Sequence, residues 1–321
     1  MKEFDLIGRY FHSGGHQRKD VIVGIGDDCA VTQIPENQQL AVTTDTLIGG
    51  VHFLMDAPAK SVAYKAVAVN LSDLAAMGAE PAWISLSLSL PEVESAWLED
   101  FVSGLYELTR FYSVQLIGGD TVRGPLAMTI TAQGFIPPGT QLRRDQAKPG
   151  DWVYVTGSLG DAGAGLDILK GEIDASGEAR EFLIKRHLYP TPRVAAGTSL
   201  RRIANACIDV SDGLLADLSH ILTTSKCGAT IHVDRLPLSR GMKETVTDEQ
   251  AIAYALSAGD DYELIFTVSE EQKGNLETSL SSTNVKATCI GQLTGNTGQI
   301  DLKHNDQRYH LPEQFGFEHQ F

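Results

Sequence analysis

Five acidic segments punctuate the chain: Gly-Ile-Gly-Asp-Asp (24–28), Thr-Thr-Asp-Thr (43–46), Asn-Leu-Ser-Asp-Leu (70–74), Gly-Gly-Asp-Thr (118–121) and Asp-Val-Ser-Asp-Gly (209–213). Each sets Asp beside Gly, Ser or Thr at the end of an apolar run. Mg²⁺ takes oxygen ligands, usually one or two carboxylates together with substrate phosphates. One such segment carries little weight. Five of them point to a site for several cations and a polyphosphate.

The segments differ in what else they could be. Gly24-Ile-Gly26 follows an apolar triplet but lacks the third Gly and the helix of a dinucleotide fingerprint, so that reading is rejected. Thr43, Thr44 and Asp45 offer hydroxyl, carbonyl and carboxylate oxygens at a strand end. Asp73 follows Asn70 by three residues, so both share one face of a helix. The paired glycines before Asp120 let backbone approach a ligand closely. Asp209-Val-Ser-Asp212-Gly213 precedes an apolar helix, which makes Ser211 or Asp212 a natural N-cap. Phosphate also binds helix N-termini, but two Asp there call for a cation between. Three acids in Asp260-Asp261-Tyr-Glu263 suit a cation or donor groups, or a solvated turn. Arg143 and Arg144 could clamp phosphate. His52 stands alone.

The elements that must position these residues follow from periodicity. Strands are expected near 21–25, 40–44, 83–90, 114–117 and 127–135, with helices over 61–77 and 92–112. Trp83–Leu90 alternates Leu and Ile against Ser, a strand with one buried and one polar face. The polar face would pack weakly on a partner or line a cavity. This order departs from strict strand–helix alternation, so the first half reads as an α+β domain with helices on one face of a mixed sheet. Pro137-Pro-Gly and Lys148-Pro-Gly bracket a polar connection. The expected division is a domain over 1–137, a linker over 138–150 and a C-terminal α/β domain over 151–321. In the second half, helices are expected over 161–170, 178–187, 193–206 and 214–223. Strands are expected over 151–156, 229–233, 263–268 and 288–293, with a turn-rich tail from 295.

Composition narrows the function classes. The 321 residues carry 26 basic and 41 acidic side chains, a formal net charge of −15, which disfavours nucleic acid and anionic membranes. An anionic substrate would then need metals to invert the local field. Four Cys without a Cys-x-x-Cys describe neither a disulfide framework nor a zinc site, and suit a reducing cytoplasm. Met1–Arg9 lacks a signal peptide's apolar stretch, and no apolar run reaches spanning length. Walker, kinase-loop and His-Glu-x-x-His motifs are absent.

In order along nearly the whole chain, Gly-Ile-Gly-Asp-Asp-Cys-Ala, Thr-Thr-Asp-Thr-Leu with Gly-Val-His-Phe, Lys-Ala-Val-Ala-Val-Asn-Leu-Ser-Asp-Leu-Ala-Ala-Met-Gly-Ala-Glu-Pro, Leu-Ile-Gly-Gly-Asp-Thr and Asp-Val-Ser-Asp-Gly-Leu resemble the thiamine-monophosphate kinases. The wider superfamily includes aminoimidazole ribonucleotide synthetase and selenide- and amide-activating relatives. The resemblance implies that two-domain architecture: a dimerising α+β N-terminal domain with a barrel-like paired sheet, then an α/β domain. It implies phosphorylation of thiamine phosphate by ATP with several Mg²⁺, in a cytoplasmic homodimer without nucleic-acid or membrane partners. Asp28, Thr43, Thr44, Asp45, Asp73, Asp120, Asp209 and Asp212 then resemble metal ligands. Gly119, Asp120, Arg144 and Ser211 resemble nucleotide contacts. His52, Asp260 and Phe317 resemble contacts to thiamine phosphate. The family usually has Gly-Glu-Asp-Tyr-Glu where this chain has Gly-Asp260-Asp261-Tyr-Glu263. No side chain is implied as general base. Alternatives are another ATP-dependent member of the superfamily, or a non-catalytic acidic metal-binding module.

Overall fold

The structure, a computed structural model, describes residues 3–12, 14–310 and 316. It divides into two compact units, Met1–Leu74 with Ala79–Gly139, and Ala75–Gly78 with Thr140–Phe321.

The first unit runs α1 (Glu3–Tyr10), β1 (Val21–Val23), β2 (Val31–Thr32), β3 (Gln39–Ile48), α2 (Ala59–Ala76), β4 (Glu80–Leu90), α3 (Ser95–Phe111), β5 (Gln115–Arg123) and β6 (Ala127–Ile136). Its main sheet has the order β3-β6-β4-β5, parallel only between β4 and β5. The Leu/Ser alternation of β4 does what period two demands: Leu86, Leu88 and Leu90 are buried, whereas Ser87 is exposed. The buried side continues through Met128 and Ile130 of β6. α2 and α3 bury Val62, Ala66, Val67, Leu98, Phe101 and Leu105. They cross closely at Gly104, where a Cβ would strike the carbonyl of Lys60.

The other side of the sheet is a carpet of small polar groups. Register places Thr44, Thr131, Ser85 and Gly118 in one row and Thr46, Thr129, Ser87 and Asp120 in the next. Thr44 and Thr131 hydroxyls hydrogen bond at 2.9 Å, and those of Thr46 and Thr129 at 2.8 Å. Exposed Leu40, Val42, Ile48 and Val122 share this side.

The second unit runs β7 (Trp152–Thr156), α4 (Asp161–Lys170), α5 (Gly177–Leu188), α6 (Val194–Ser199), β8 (Ala206–Asp209), α7 (Leu214–Ser225), β9 (Gly228–His232), α8 (Arg240–Thr245), α9 (Asp248–Ser257), β10 (Leu264–Val268), α10 (Lys273–Leu280), β11 (Ala287–Thr294), β12 (Ile300–His304) and β13 (Gln307–Tyr309). Its seven strands form one mixed sheet, β13-β12-β9-β11-β7-β10-β8, whose core includes Val153, Val155, Ile208, Leu218, Ile265 and Ile290.

Two expectations are corrected. The helix expected over 193–206 stops at Ser199, because Arg202 turns left-handed at φ 65° and Ala206 to Asp209 enter the sheet beside β10. The tail from 295 is not all turns: β12 and β13 extend the sheet through Asn305 and Asp306, both at positive φ. No helix among the described residues is long and apolar enough to cross a membrane.

Candidate active site

In the first unit, β3 and α2 bring three of the expected residues together. Thr43 and Asp45 are two apart on β3, so they share a side. The Thr43 hydroxyl donates to Oδ2 of Asp73 on α2. Burial, and then the charge of Asp73, push Asp45 up to about 6. Two carboxylates held in mutual repulsion beside a hydroxyl oxygen fit Mg²⁺, whose presence would remove the conflict. Asn70 lies one turn earlier, its Nδ2 donating to Ala66 O at 3.0 Å and its buried Oδ1 left without a hydrogen bond. Among the described residues no three His, Cys, Asp or Glu side chains converge as a metal site made from protein groups alone would require. Pairs completed by phosphate oxygens remain the fitting arrangement.

Other expected residues stand elsewhere. Thr44 points its hydroxyl to the opposite side of the sheet, onto Thr131, so its side chain is not in the Asp45–Asp73 group. Asp120 lies on β5, the far edge strand, and in the Ser/Thr row. Three strand spacings of about 4.8 Å separate the edges, roughly 14 Å. Mg²⁺ holds its ligands at about 2.1 Å, so one ion cannot touch Asp45 and Asp120 of the same chain. Gly119 explains the double glycine sterically: a Cβ there would overlap the carbonyl of Leu86 on β4. A register shift between Ile84 and Ser85 gives β5 one extra residue just before Gly118 and re-aims the rest of the strand. Asp28 sits on an exposed turn, its N–H donating to Asp27 Oδ1 at 2.9 Å. His52 closes the turn after β3. Its Nδ1 accepts from the Ile48 N–H at 3.0 Å, which leaves Nε2 as the nitrogen that carries the proton in the neutral ring.

In the second unit, Asp209 ends the edge strand β8 and is buried. The loop after it is paired by backbone to the loop before β10: Asp260 N–H donates to Ser211 O and Tyr262 N–H to Val210 O, both at 2.8 Å. Neither Ser211 nor Asp212 is the N-cap of α7. Gly213 holds that position, at φ 125°, without side-chain capping. The sequence reading missed the residue that replaces a cap. Asp217, one turn into α7 and 2% exposed, accepts the N–H groups of Ser211, Asp212 and Gly213 on one oxygen at 3.0, 3.1 and 3.1 Å. Burial and the charge of Asp212 push it up to about 7, against the pull of those three donors. The available signal was an acid inside the apolar run Leu-Leu-Ala-Asp-Leu.

The second acidic loop is built the same way. Buried Asp261 accepts from Gly160 N–H at 2.5 Å and Ala162 N–H at 3.2 Å, at the start of α4. Buried Glu263 binds Arg193 through both oxygens at 2.6 and 2.5 Å, Arg186 at 2.9 Å and the Thr156 hydroxyl at 2.7 Å. Asp261 and Glu263 are thus held by groups of the protein itself. Asp260 takes φ 68°, accepts from the Tyr262 hydroxyl at 3.0 Å, and lies 3.7 Å from His187 Nδ1. Of the two arginines, Arg143 is bound by both oxygens of Asp145 at 2.8 and 2.5 Å. Exposed Arg144 has its carbonyl anchored by Thr224 and Ser225 at the end of α7. Phe317 lies outside the described residues.

Two mixed-sheet units with acids on strand ends and turns define a class, and comparison with known families agrees. Residues 26–136 match the family described as AIR synthase related protein, N-terminal domain, and residues 148–303 its C-terminal domain. The chain belongs to the AIR synthase related family. Within it, the chain is 54% identical over 295 residues to the thiamine-monophosphate kinase of Escherichia coli K12, covering 92% of this chain and 91% of that one. The crystal structure of thiamine-monophosphate kinase from Stenotrophomonas maltophilia K279a superposes with a TM-score of 0.84 at 45% identity, covering 89% and 92% of the two chains. The structure of AaThiL complexed with AMPPCP and TMP superposes with a TM-score of 0.77 at 33% identity, covering 91% of each. The chain belongs with the thiamine-monophosphate kinases, and so among the phosphotransferases.

Proposed function

We propose that the chain transfers the γ-phosphoryl group of ATP to the phosphate of thiamine phosphate, giving thiamine diphosphate and ADP by direct in-line attack. The carrying observation is the Thr43–Asp45–Asp73 group, a carboxylate pair whose charge conflict suits a divalent cation. The AaThiL structure, complexed with AMPPCP and TMP, supports the substrate pair. Several Mg²⁺ would be held by Asp45 and Asp73, by Asp28, Asp120, Asp209 and Asp212, and by oxygens of Thr43 and Thr44. When bound they supply charge neutralisation between two polyanions. Gly119, Arg144 and Ser211 contact the nucleotide in this reading. His52, Asp260 and Phe317 contact thiamine phosphate.

The acceptor needs little chemical help. A phosphate monoester loses its second proton near pH 6, so it is mostly dianionic at neutral pH and requires no general base. Positioning and electrostatic stabilisation then carry the rate. That agrees with a site rich in Asp and without a residue in the role of phosphate carrier.

The active form in this reading is a homodimer. The Ser/Thr side of the sheet with its exposed apolar margin suits a second copy. A second copy that lays its β5 along this β3 would set the partner's Asp120 on the Ser/Thr side, beside Thr44 and Thr46, with Asp45 on the other side of the same strand. The reaction is tested by ADP release from Mg-ATP with and without thiamine phosphate. Substrate-dependent ADP with stoichiometric thiamine diphosphate is expected. Binding of Mg-ATP without turnover would return the substrate to the wider family.

A further inference from the structure

The start of α7 is built unlike an anion site. The first N–H groups of a helix normally face outward with the positive end of its dipole and receive phosphate. Here the three that precede the helix converge on Asp217, from inside the protein. The same loop is held from its other side. Ser211 O and Val210 O accept from the loop before β10, and neither Gly213 nor Gly259 has space for a Cβ against the facing carbonyls of Ser257 and Ser211. The backbone of residues 209–213 is therefore held from both sides, on one of them by a buried carboxylate.

We propose that Asp217 is a positioning residue for the nucleotide. It fixes the 209–213 loop so that Ser211, Asp209 and Asp212 are presented together to a magnesium-bound nucleotide, and it occupies the amides of Ser211, Asp212 and Gly213, which are then closed to a bare phosphate. The proposal rests on the kinase reading of these three residues. Asp217 itself touches neither metal nor nucleotide. It acts through the backbone N–H groups, as partners that orient ligating residues do.

Two variants separate this role from simple support. Asp217→Asn keeps an acceptor oxygen and removes the charge, and Asp217→Leu removes both. Binding of a non-hydrolysable ATP analogue to the full chain is measured by calorimetry with Mn²⁺ and without metal. The ratio of the two affinities is the readout. Asp217→Asn is expected to weaken metal-dependent binding about 10-fold and Asp217→Leu towards about 100-fold. Metal-free binding holds or strengthens, so the ratio falls. A lower melting temperature with an unchanged ratio overturns the proposal and makes Asp217 purely structural. If Asp217→Leu does not fold, the Asp217→Asn ratio decides. Wild-type protein that binds no nucleotide under either condition overturns the kinase reading, and the proposal falls with it. Wild-type binding with an unmoved ratio in the variants overturns the proposal alone.

Discussion

Asp45 and Asp120 stand on opposite edge strands of one four-stranded sheet and point to opposite sides of it. The proposed homodimer would draw the Asp45 and Asp120 of one active site from different chains, each on its own cation. Mixed dimers test this. Asp45→Asn and Asp120→Asn proteins are each expected to be inactive. Co-expressed with separable tags, half the dimers are heterodimers, and each of those rebuilds one intact site of two. About a quarter of wild-type activity should return. No recovery, with heterodimers demonstrated, places both acids in the site of a single chain and removes this reason for the dimer.

Asp73→Asn and Asp45→Asn should lower kcat by about 10²-fold or more, because they remove charge stabilisation that matters most in the transition state. His52→Gln should act mainly on the KM for thiamine phosphate, the signature of uniform binding. Equal kcat losses in the Asp and His variants would count against a metal-assisted route without a catalytic base.

Glu263→Gln tests the buried frame beneath the Asp260 loop. The substitution takes the carboxylate from Arg193, 17% exposed, and leaves Arg186, 12% exposed, with Asp161 at 3.6 Å. Breaking such a pair from one side costs about 3–5 kcal/mol. The urea midpoint of the unfolding transition should fall accordingly. A midpoint within error of wild type would mean the arginines find other partners.

Asp20 gives a pH-dependent term away from the site. Burial alone would raise its pKa, but hydrogen bonds from Arg18 and from the Trp83 indole outweigh it and hold it below the usual 3.8. A carboxyl whose folded pKa is depressed stabilises the fold above its unfolded pKa, and that contribution disappears as pH falls through the folded value. Asp20→Asn should therefore cost about 1–3 kcal/mol at pH 7. The difference from wild type should shrink steadily below pH 4. Parallel stability curves down to pH 2 would show that Asp20 keeps no excess charge stabilisation.

The strand with the plainest alternation, Trp83–Leu90, was legible because one face is buried and period two is strict. So was the long apolar helix that carries Asp73. β8 was not, since Ala-Cys-Ile-Asp is four buried residues with no alternation to separate it from a helix end. β13 was hidden by polar residues at the sheet edge, where solvent removes the hydrophobic signal, and β12, one strand in, carries only the short alternation of Ile300 and Leu302. In the site, residue type announced Asp45 and Asp73, but only sheet order could reveal that Asp120 is an edge away. Asp261 and Glu263 stood open between holding a cation or donor groups and a solvated turn, whereas both are buried on donors of the protein. Local sequence records that a carboxylate is present and is silent on what already holds it.

The buried carboxylates at the starts of α4 and α7 have a consequence for selectivity inside a cell. Inorganic phosphate and sulfate are abundant and would crowd any open ring of amides. With Asp261 seated behind the amides of Gly160 and Ala162, and Asp217 behind those of Ser211, Asp212 and Gly213, these five are closed to such ions. On the proposed reading, a polyphosphate would then reach the 209–213 loop only together with its magnesium, since these amides are already spent.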